Sequence, residues 1–292
     1  MENVIKCKHC NGKNFIKKGL RQTQNRGKIQ VYRCLDCGKK FTNDEGFYRM
    51  RNNPEKITSA IDLYFSNLSS RKVRNYFRRH LEHNSSHVTV LDWARRYTLK
   101  VHNYVNKLQP KLSGQYYADE TEIDRGKVND KFWCCVDWET RFIVDTHYSL
   151  TSNIEEAKTF LEKVKQKGKP KYIQTDSAMF YPQAMRKVFS SHSYHTTYHG
   201  EPRVKHIVNN VHKTGRHNVR IETVFSKIKD RVDDFRGLKA LWSAPILMAG
   251  IVLQHNYIEE HTTTGKVPCE LANLKMELGQ NRWLGLIREA SK

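Results

Sequence analysis

The stretch "QYYADETEI", residues 115–123, decides the fold, because its apolar and polar residues alternate as they do in a half-buried strand. As a strand it places Asp119 and Thr121 on one face and Glu120 and Glu122 on the other. Which face meets the rest of a site stays open at this point. Three carboxylates within four residues are unexpected in a chain of 292 residues whose formal net charge is +21. A carboxylate repels phosphate unless a cation stands between them, so these acids are either a solvated edge or part of a metal site.

Downstream, "KFWCCVDW" (131–138) and "RFIVDTHYSL" (141–150) read as strands joined by a hairpin at "ETR". "NIEEAKTFLEKVKQKG" (153–168) is an amphipathic helix capped by Asn153 and ended by Gly168. "PKYIQTD" (170–176) is an apolar strand ending on Asp176, and "MFYPQAMRKVFS" (179–190) is a helix. "HSYHTTYH" (192–199) is the candidate fifth strand, and a long helix follows in "HNVRIETVFSKIKDRVDDF" (217–235). Three strands, helix, strand, helix, strand, helix is the order of an RNase H-like fold, a mixed α/β sheet with helices on both faces. In that layout Asp119 lies on the central strand, Asp176 at the C-terminal end of its neighbour, and Glu222 on a helix crossing the sheet. Three carboxylates from three elements can hold two divalent cations, through which acids approach phosphate.

"ADETEI", "IQTDSAMFY" and "NVRIETVFSKIKDRVDDFRGLK" resemble the three acidic blocks of DDE transposases of prokaryotic insertion sequences, closest to insertion sequence family six. The resemblance covers roughly residues 114–260. It implies that Asp119, Asp176 and Glu222 are the catalytic acids, with Lys229 the basic residue two turns after Glu222. It further implies two Mg²⁺ ions, with Mn²⁺ as a substitute, bridged by Asp119. Cutting of transposon ends, joining to target DNA, and at least a homodimer on DNA also follow from it. The 46 residues from Asp176 to Glu222 exceed the usual gap in that family. Phe225 and Ser226 stand where the family often carries a His-Arg pair. The alternative is a non-enzymatic DNA-binding protein with a degenerate nuclease-like body.

The N-terminal third carries the charge. Residues 1–113 have 24 Lys and Arg against 8 Asp and Glu, a net +16, and the remaining 179 residues have only +5. A polyanionic partner, DNA before membrane, is expected. "CKHC" and "CLDC" set Cys7, Cys10, Cys34 and Cys37 in two CxxC pairs, the ligand pattern of a closed structural zinc site. "KNFIKKGL" and "IQVYRC", with "QNRG" between them, read as the strands of a zinc ribbon over 1–46, decorated by Lys17, Lys18, Arg21, Arg26, Lys28 and Arg33.

Residues 50–109 read as three helices resembling a helix-turn-helix, with Ser85 or Ser86 capping the third. That helix would present Thr89, Asp92, Arg95 and Arg96; Arg71, Lys72, Arg95, Arg96, Lys229 and Arg231 are the expected DNA contacts. "KLQPKLSG" links to a catalytic domain over 114–262, and 263–292 is read as a tail. Asp137 and Asp145 read as turn or edge residues, and Cys134 and Cys135 as core. The histidines of 192–217 (His192, His195, His199, His206, His212, His217) read as part of a basic loop bordering DNA, with Arg203, Lys205, Lys213, Arg216 and Arg220. "MENVIKCKHC" (1–10) has no apolar h-region, so no signal peptide is expected, and "ALWSAPILMAGIVLQHNYI" (240–258) reads as a buried helix, not a membrane span. A cytoplasmic, nucleoid-associated protein with reduced cysteines is expected.

Overall fold

The computed structural model describes residues 5–23, 27–81, 85–190, 197–198, 201–202, 204–209, 219–235 and 238–292. The chain divides into two compact units, residues 1–60 with 278–292 and residues 61–277. Each is taken by itself.

In the first unit, β1 (Phe15–Thr23) and β2 (Gly27–Cys34) pair antiparallel as the ribbon pattern predicts. A third strand that the sequence reading missed, β3 (Lys40–Thr42), pairs with β2. Phe15, Tyr32 and Phe41 from the three strands pack ring to ring, with centroids 5.1–5.7 Å apart, a small apolar centre beside the cysteines. Residues 24–26 of the expected turn, Arg26 among them, lie outside the described residues. The expected tail is not one. It contains a short helix, Pro268–Leu271, and a C-terminal helix, Arg282–Glu289, which buries Trp283, Leu284, Leu286 and Ile287. Residues 278–292 belong with the ribbon, where the Arg288 guanidinium donates to Glu45 (2.7 Å).

The division between the units falls within α1 (Pro54–Phe65). In the second unit, α2 (Ser70–His80) is capped by the Ser69 hydroxyl, which accepts from the Lys72 N–H. α3 (His87–Val105) is capped by Ser86, accepting from the Thr89 N–H. An uncapped helix start leaves N–H groups without partners, so both serines fix where these helices begin. α3 buries Val90, Trp93, Ala94, Tyr97 and Val101. Val88, in its first turn, is exposed.

The five-stranded sheet contains β4 (Gln115–Asp124), β5 (Asn129–Asp137), β6 (Ile143–Ser149), β7 (Tyr172–Thr175) and β8 (Lys205–Val208), in the order β8-β7-β4-β5-β6. β4, β5 and β6 run antiparallel, and β7 and β8 join parallel to β4's other side. This is the RNase H-like arrangement, with β4 in the centre. The fifth strand is the apolar "KHIV", not the expected "HSYHTTYH", of which only Thr197 and Tyr198 are described, paired with Glu201 and Pro202.

On one face of the sheet, Tyr116, Ala118, Trp133, Cys135 and Ile173 pack with α4 (Ile154–Lys167) and α5 (Phe180–Phe189) through Phe160, Leu161, Tyr181 and Met185. α6 (Val219–Asp234) lies against β4 and β5 and buries the stripe Ile221, Val224, Phe225, Ile228 and Val232. α7 (Ala244–Leu253), apolar all round, runs on into a five-residue π turn, Gln254–Ile258. Gly250 of α7 touches Phe65, whose Cζ would lie 2.0 Å from an added Cβ, so any larger residue there would displace the ring. No described helix is long and apolar enough to cross a membrane.

Of the two acids read as turn or edge residues, Asp145 is half-buried on the edge strand β6 and Asp137 is buried. Asp137 is fully enclosed: its Oδ1 accepts from the Ser113 N–H and hydroxyl (3.0 and 2.7 Å) and its Oδ2 from those of Thr140 (3.1 and 2.7 Å). It ties the entry of β4 to the β5–β6 hairpin. Burial first, against help from the Thr146 N–H, pushes the Asp145 carboxyl up.

Candidate active site

Strand register brings Asp119 and Asp176 level with each other. β4 and β7 pair Gln115 with Tyr172, Tyr116 with Ile173, and Tyr117 with Gln174. Continued by two residues, that register sets 176 beside 119, on neighbouring strands about 4.8 Å apart and on the same face. Because Tyr116, Ala118 and Ile173 point into the α4–α5 core, Asp119 and Asp176 point the other way, toward the side carrying α6. Asp176 sits just past the end of β7, where its Oδ1 accepts the Ala178 N–H (3.0 Å) and is held in a tight turn. Asp119 Oδ1 accepts the Glu120 N–H (2.9 Å). Glu222 lies in the exposed first turn of α6.

Electrostatics links the three acids. The Asp119 carboxyl is pushed up to about 7, first by burial, then by the charges of Asp176 and Glu120, with a smaller push from Glu222. Asp119 has no basic partner among the described residues that holds it down. Its neighbours on the strand each have a side-chain partner, and that of Glu122 is basic. Glu120 faces the α4–α5 core, where the Tyr181 hydroxyl donates to it (2.8 Å). Burial still raises the Glu120 carboxyl. Glu122 is exposed and pairs with Lys131 (2.7 Å), and this hydrogen bond and charge lower it. Of the "DETE" acids, then, Asp119 alone is a half-buried anion without compensation on the α6 side.

The four cysteines form a tighter group. Their Sγ atoms all lie within 4.8 Å of one another, with Cys7–Cys37 at 3.7 Å and Cys10–Cys34 at 3.5 Å. Zn–S bonds of about 2.3 Å put tetrahedral sulfurs roughly 3.8 Å apart, so the cluster fits zinc and is too open for disulfides. Burial disfavours the Cys7 thiolate, but the His9 and Cys10 N–H groups outweigh it and bring the thiol down to about 7. At Cys10 the Gly12 N–H favours the thiolate, while Cys37, burial, Cys34 and Cys7 together push it up to about 12. Sulfurs this close hold several thiolates only around a cation. Among the described residues, only these cysteines form a group compact enough to hold an ion as it stands; the acids of the sheet are not drawn in so tightly.

The expected DNA contacts divide. Arg71 and Lys72 lie exposed in the first turn of α2, Arg96 is exposed on α3, and Lys229 is exposed on α6, within electrostatic reach of Glu122. Arg231 is a correction: its side chain is only 10% exposed and its Nη2 pairs with Glu259 (2.5 Å), so it is a buried ion pair, not a DNA-facing cation. Arg95 is half-buried: its Nε donates to the Ser243 hydroxyl (2.7 Å), and its guanidinium stacks on Trp242, 4.6 Å from the ring centroid. His206, read as part of a loop, is on β8, where it bonds the Thr175 hydroxyl (3.0 Å), and burial holds its pKa down to about 4. His192, His195, His199, His212, His217, Arg203, Lys213, Arg216 and the Arg220 side chain lie outside the described residues. Sequence reasoning missed the Glu120–Tyr181 contact; the only signal for it is strand alternation, which sends residue 120 to the face opposite residue 119.

The sheet order, with acids at its centre, defines the class of fold: an RNase H-like catalytic core. Residues 113–261, just over half of the chain, match the family model of the DDE domain of IS240-type transposases, and the chain belongs to that family. It is a DDE transposase, a polynucleotidyl transferase of the kind that cleaves DNA and transfers strands. No curated protein matches it. Solved structures with a similar fold include the HTLV-2 integrase catalytic core domain in complex with magnesium, in its trimeric form (17% identity, 56% of this chain and 98% of that one, TM-score 0.38). Others are the simian T-cell lymphotropic virus intasome bound to a PP2A regulatory subunit (13%, 75% and 72%, 0.40) and the BIV integrase catalytic core domain (12%, 56% and 95%, 0.39).

Proposed function

We propose that Asp119, Asp176 and Glu222 are the catalytic acids with which this transposase cuts the ends of an insertion sequence and joins them to target DNA. The observation that carries the reading is the Asp119 carboxyl, raised to about 7 by burial and by the other acids, with no base to relieve it. An all-oxygen donor set of this charge suits a hard divalent cation, Mg²⁺ with Mn²⁺ as a substitute. Held by the three acids, two such ions would activate the attacking oxygen and stabilise the leaving one in an in-line displacement.

The chain's own part is positioning. The Ala178 N–H fixes Asp176 in its turn, and the Glu120 N–H holds one oxygen of Asp119. α6 brings Glu222 over β4, and Lys229, two turns on, supplies an exposed cation for DNA phosphate. A structural zinc on Cys7, Cys10, Cys34 and Cys37 would hold the ribbon together. Because two ends are cut and joined together, the working unit on DNA is at least a dimer.

The test is a strand-transfer assay with Mg²⁺ and an oligonucleotide carrying the element's end, comparing wild type with Asp176→Asn. Loss of cutting and joining with DNA binding intact is expected. Cutting that survives the substitution removes Asp176 from the mechanism. Binding by wild type without any cutting favours the non-enzymatic DNA-binding alternative.

A further inference from the structure

Trp242 is the most exposed aromatic ring among the described residues, at 66%, yet it is not loose. Arg95 lies over one face of the indole and is itself anchored by Ser243. An exposed carboxylate, Asp92, approaches Arg95 only to 4.0 Å, a weak pair that leaves the stack to orient the guanidinium. A cation–π contact to a fixed arginine holds an aromatic plane in place, with its other face toward solvent.

Beside this ring, within the second unit, a groove of about 260 Å³ opens between α2, α3 and the start of α7. It is lined by Tyr64, stacked on Phe235 at 4.6 Å and 7° between planes, and by Arg71, Arg95 and Lys239. Among its described lining residues three are cations and none is acidic. Ala240 and Ser243, on either side of Trp242 in the chain, line it as well. An oriented, exposed ring beside a cluster of cations is the combination that recognises a nucleobase and its phosphates. Ligand pockets begin at roughly 300 Å³, so the groove suits one nucleotide and not a duplex. A base inside a duplex has both faces covered by its neighbours, and a terminal pair is too large for the groove.

We propose that this groove captures a single unpaired nucleotide of the DNA, its base stacked on the free face of Trp242 and its phosphates met by Arg71 and Lys239. The site would hold a frayed or nicked strand at the DNA end while the acids act elsewhere on the same unit. This inference rests on the reading of the chain as an enzyme that processes DNA ends.

The test uses the full-length protein and two probes, a duplex ending in a short single-stranded overhang and a blunt duplex. Each carries at its end a fluorescent purine analogue quenched by stacking. Wild type is expected to quench the overhang probe and to bind it more tightly than the blunt one. Trp242→Ala should abolish the quenching and weaken overhang binding roughly 10-fold or more, with blunt-duplex binding unchanged. Trp242→Phe should restore most of both, and Trp242→Leu neither.

Unchanged quenching in Trp242→Ala, or equal weakening on both probes, overturns the proposal. So does loss of a protein oligomer in Trp242→Ala with stacking intact, which would make the ring a protein contact. Asp176→Asn separates this proposal from the catalytic one: it should quench like wild type and not cut. If it cuts while Trp242→Ala loses quenching, the acid assignment fails and the groove stands. If it is inactive and Trp242→Ala still quenches, the reverse holds.

Discussion

The ribbon cysteines and the sheet acids are both sets of candidate metal ligands, and the chain holds them differently. The four thiols lie within 4.8 Å of one another, assembled by two short knuckles in one small unit. The three carboxylates come from a central strand, a strand end and a helix, and are looser. Charge explains the difference. Thiols can remain protonated and crowd together before a metal arrives, whereas carboxylates ionise near pH 4 and repel at short range. The one acid forced inward, Asp119, answers by moving up to about 7. Closed sulfur sites exist to hold a fold, while open oxygen sites must leave room for substrate.

The largest effect that would break this contrast is on the ribbon. Removing zinc with a strong chelator, or substituting Cys34→Ser, should abolish protection of the β1–β3 amides in hydrogen exchange. Structural zinc contributes on the order of 10 kcal/mol to folding a small unit. One zinc per chain by metal analysis is expected; a protected ribbon without zinc would make the cysteines a metal-free core. At the sheet, by contrast, Asp176→Asn should leave the β4–β7 amides protected and lower strand cleavage about 10³-fold, the several kcal/mol of transition-state stabilisation that metal ions supply. Unfolding of the sheet in that variant would mean the acids are structural after all.

Much of this was legible in the sequence, for reasons particular residues make plain. The CxxC pairs are local, so their spacing alone places four sulfurs together. "QYYADETEI", "PKYIQTD" and the α6 stripe announce their elements by alternation and period, and sheet topology then carries the acids to one side. What failed was long-range or short. β3 spans three residues, too few for a pattern. "HSYHTTYH" has the β-branched and aromatic content of a strand, but the edge of the sheet takes the more apolar "KHIV". Arg231 reads as surface charge because its partner, Glu259, lies far along the chain. The choice between Asp119 and Glu120 could not be made from alternation alone, since it depends on which face receives α4 and α5.

That failure gives the next effects. Arg231→Ala would leave the half-exposed Glu259 carboxylate only the Gln254 amide as a partner, and breaking a pair buried on the arginine side costs about 3 kcal/mol. Denaturant unfolding should detect this with DNA affinity per folded molecule unchanged. A loss of affinity without loss of stability would return Arg231 to the DNA face. The His255 ring, whose Nε2–H donates to the Arg141 carbonyl (2.9 Å), gives a slightly smaller and pH-dependent effect. Burial, then the charges of Lys227 and His261, lower its pKa from 6.5 to about 4, against the Arg141 hydrogen bond and Glu259, which favour the charged ring. The folded state therefore binds this proton less readily than the unfolded chain. The contribution is complete above pH 6.5 and is lost as pH falls toward 4, on the order of 2–3 kcal/mol. His255→Gln should flatten that part of the stability profile, and an unchanged profile would place the acid sensitivity elsewhere.

The smallest effect separates Lys229 from its neighbour two residues on. Lys229 is exposed where Arg231 is buried, although both stand on α6 and carry the same charge. An exposed lysine meeting one phosphate displaces about one counterion, so Lys229→Ala should reduce the slope of log affinity against log salt by about 1. It should weaken binding evenly across DNA sequences and leave thermal stability within about 0.5 kcal/mol, as surface substitutions do. Arg231→Ala should do the opposite on all three measures. If the two variants behave alike, burial along α6 does not sort its charges by role, and the contrast between a structural and a working cation on one helix fails.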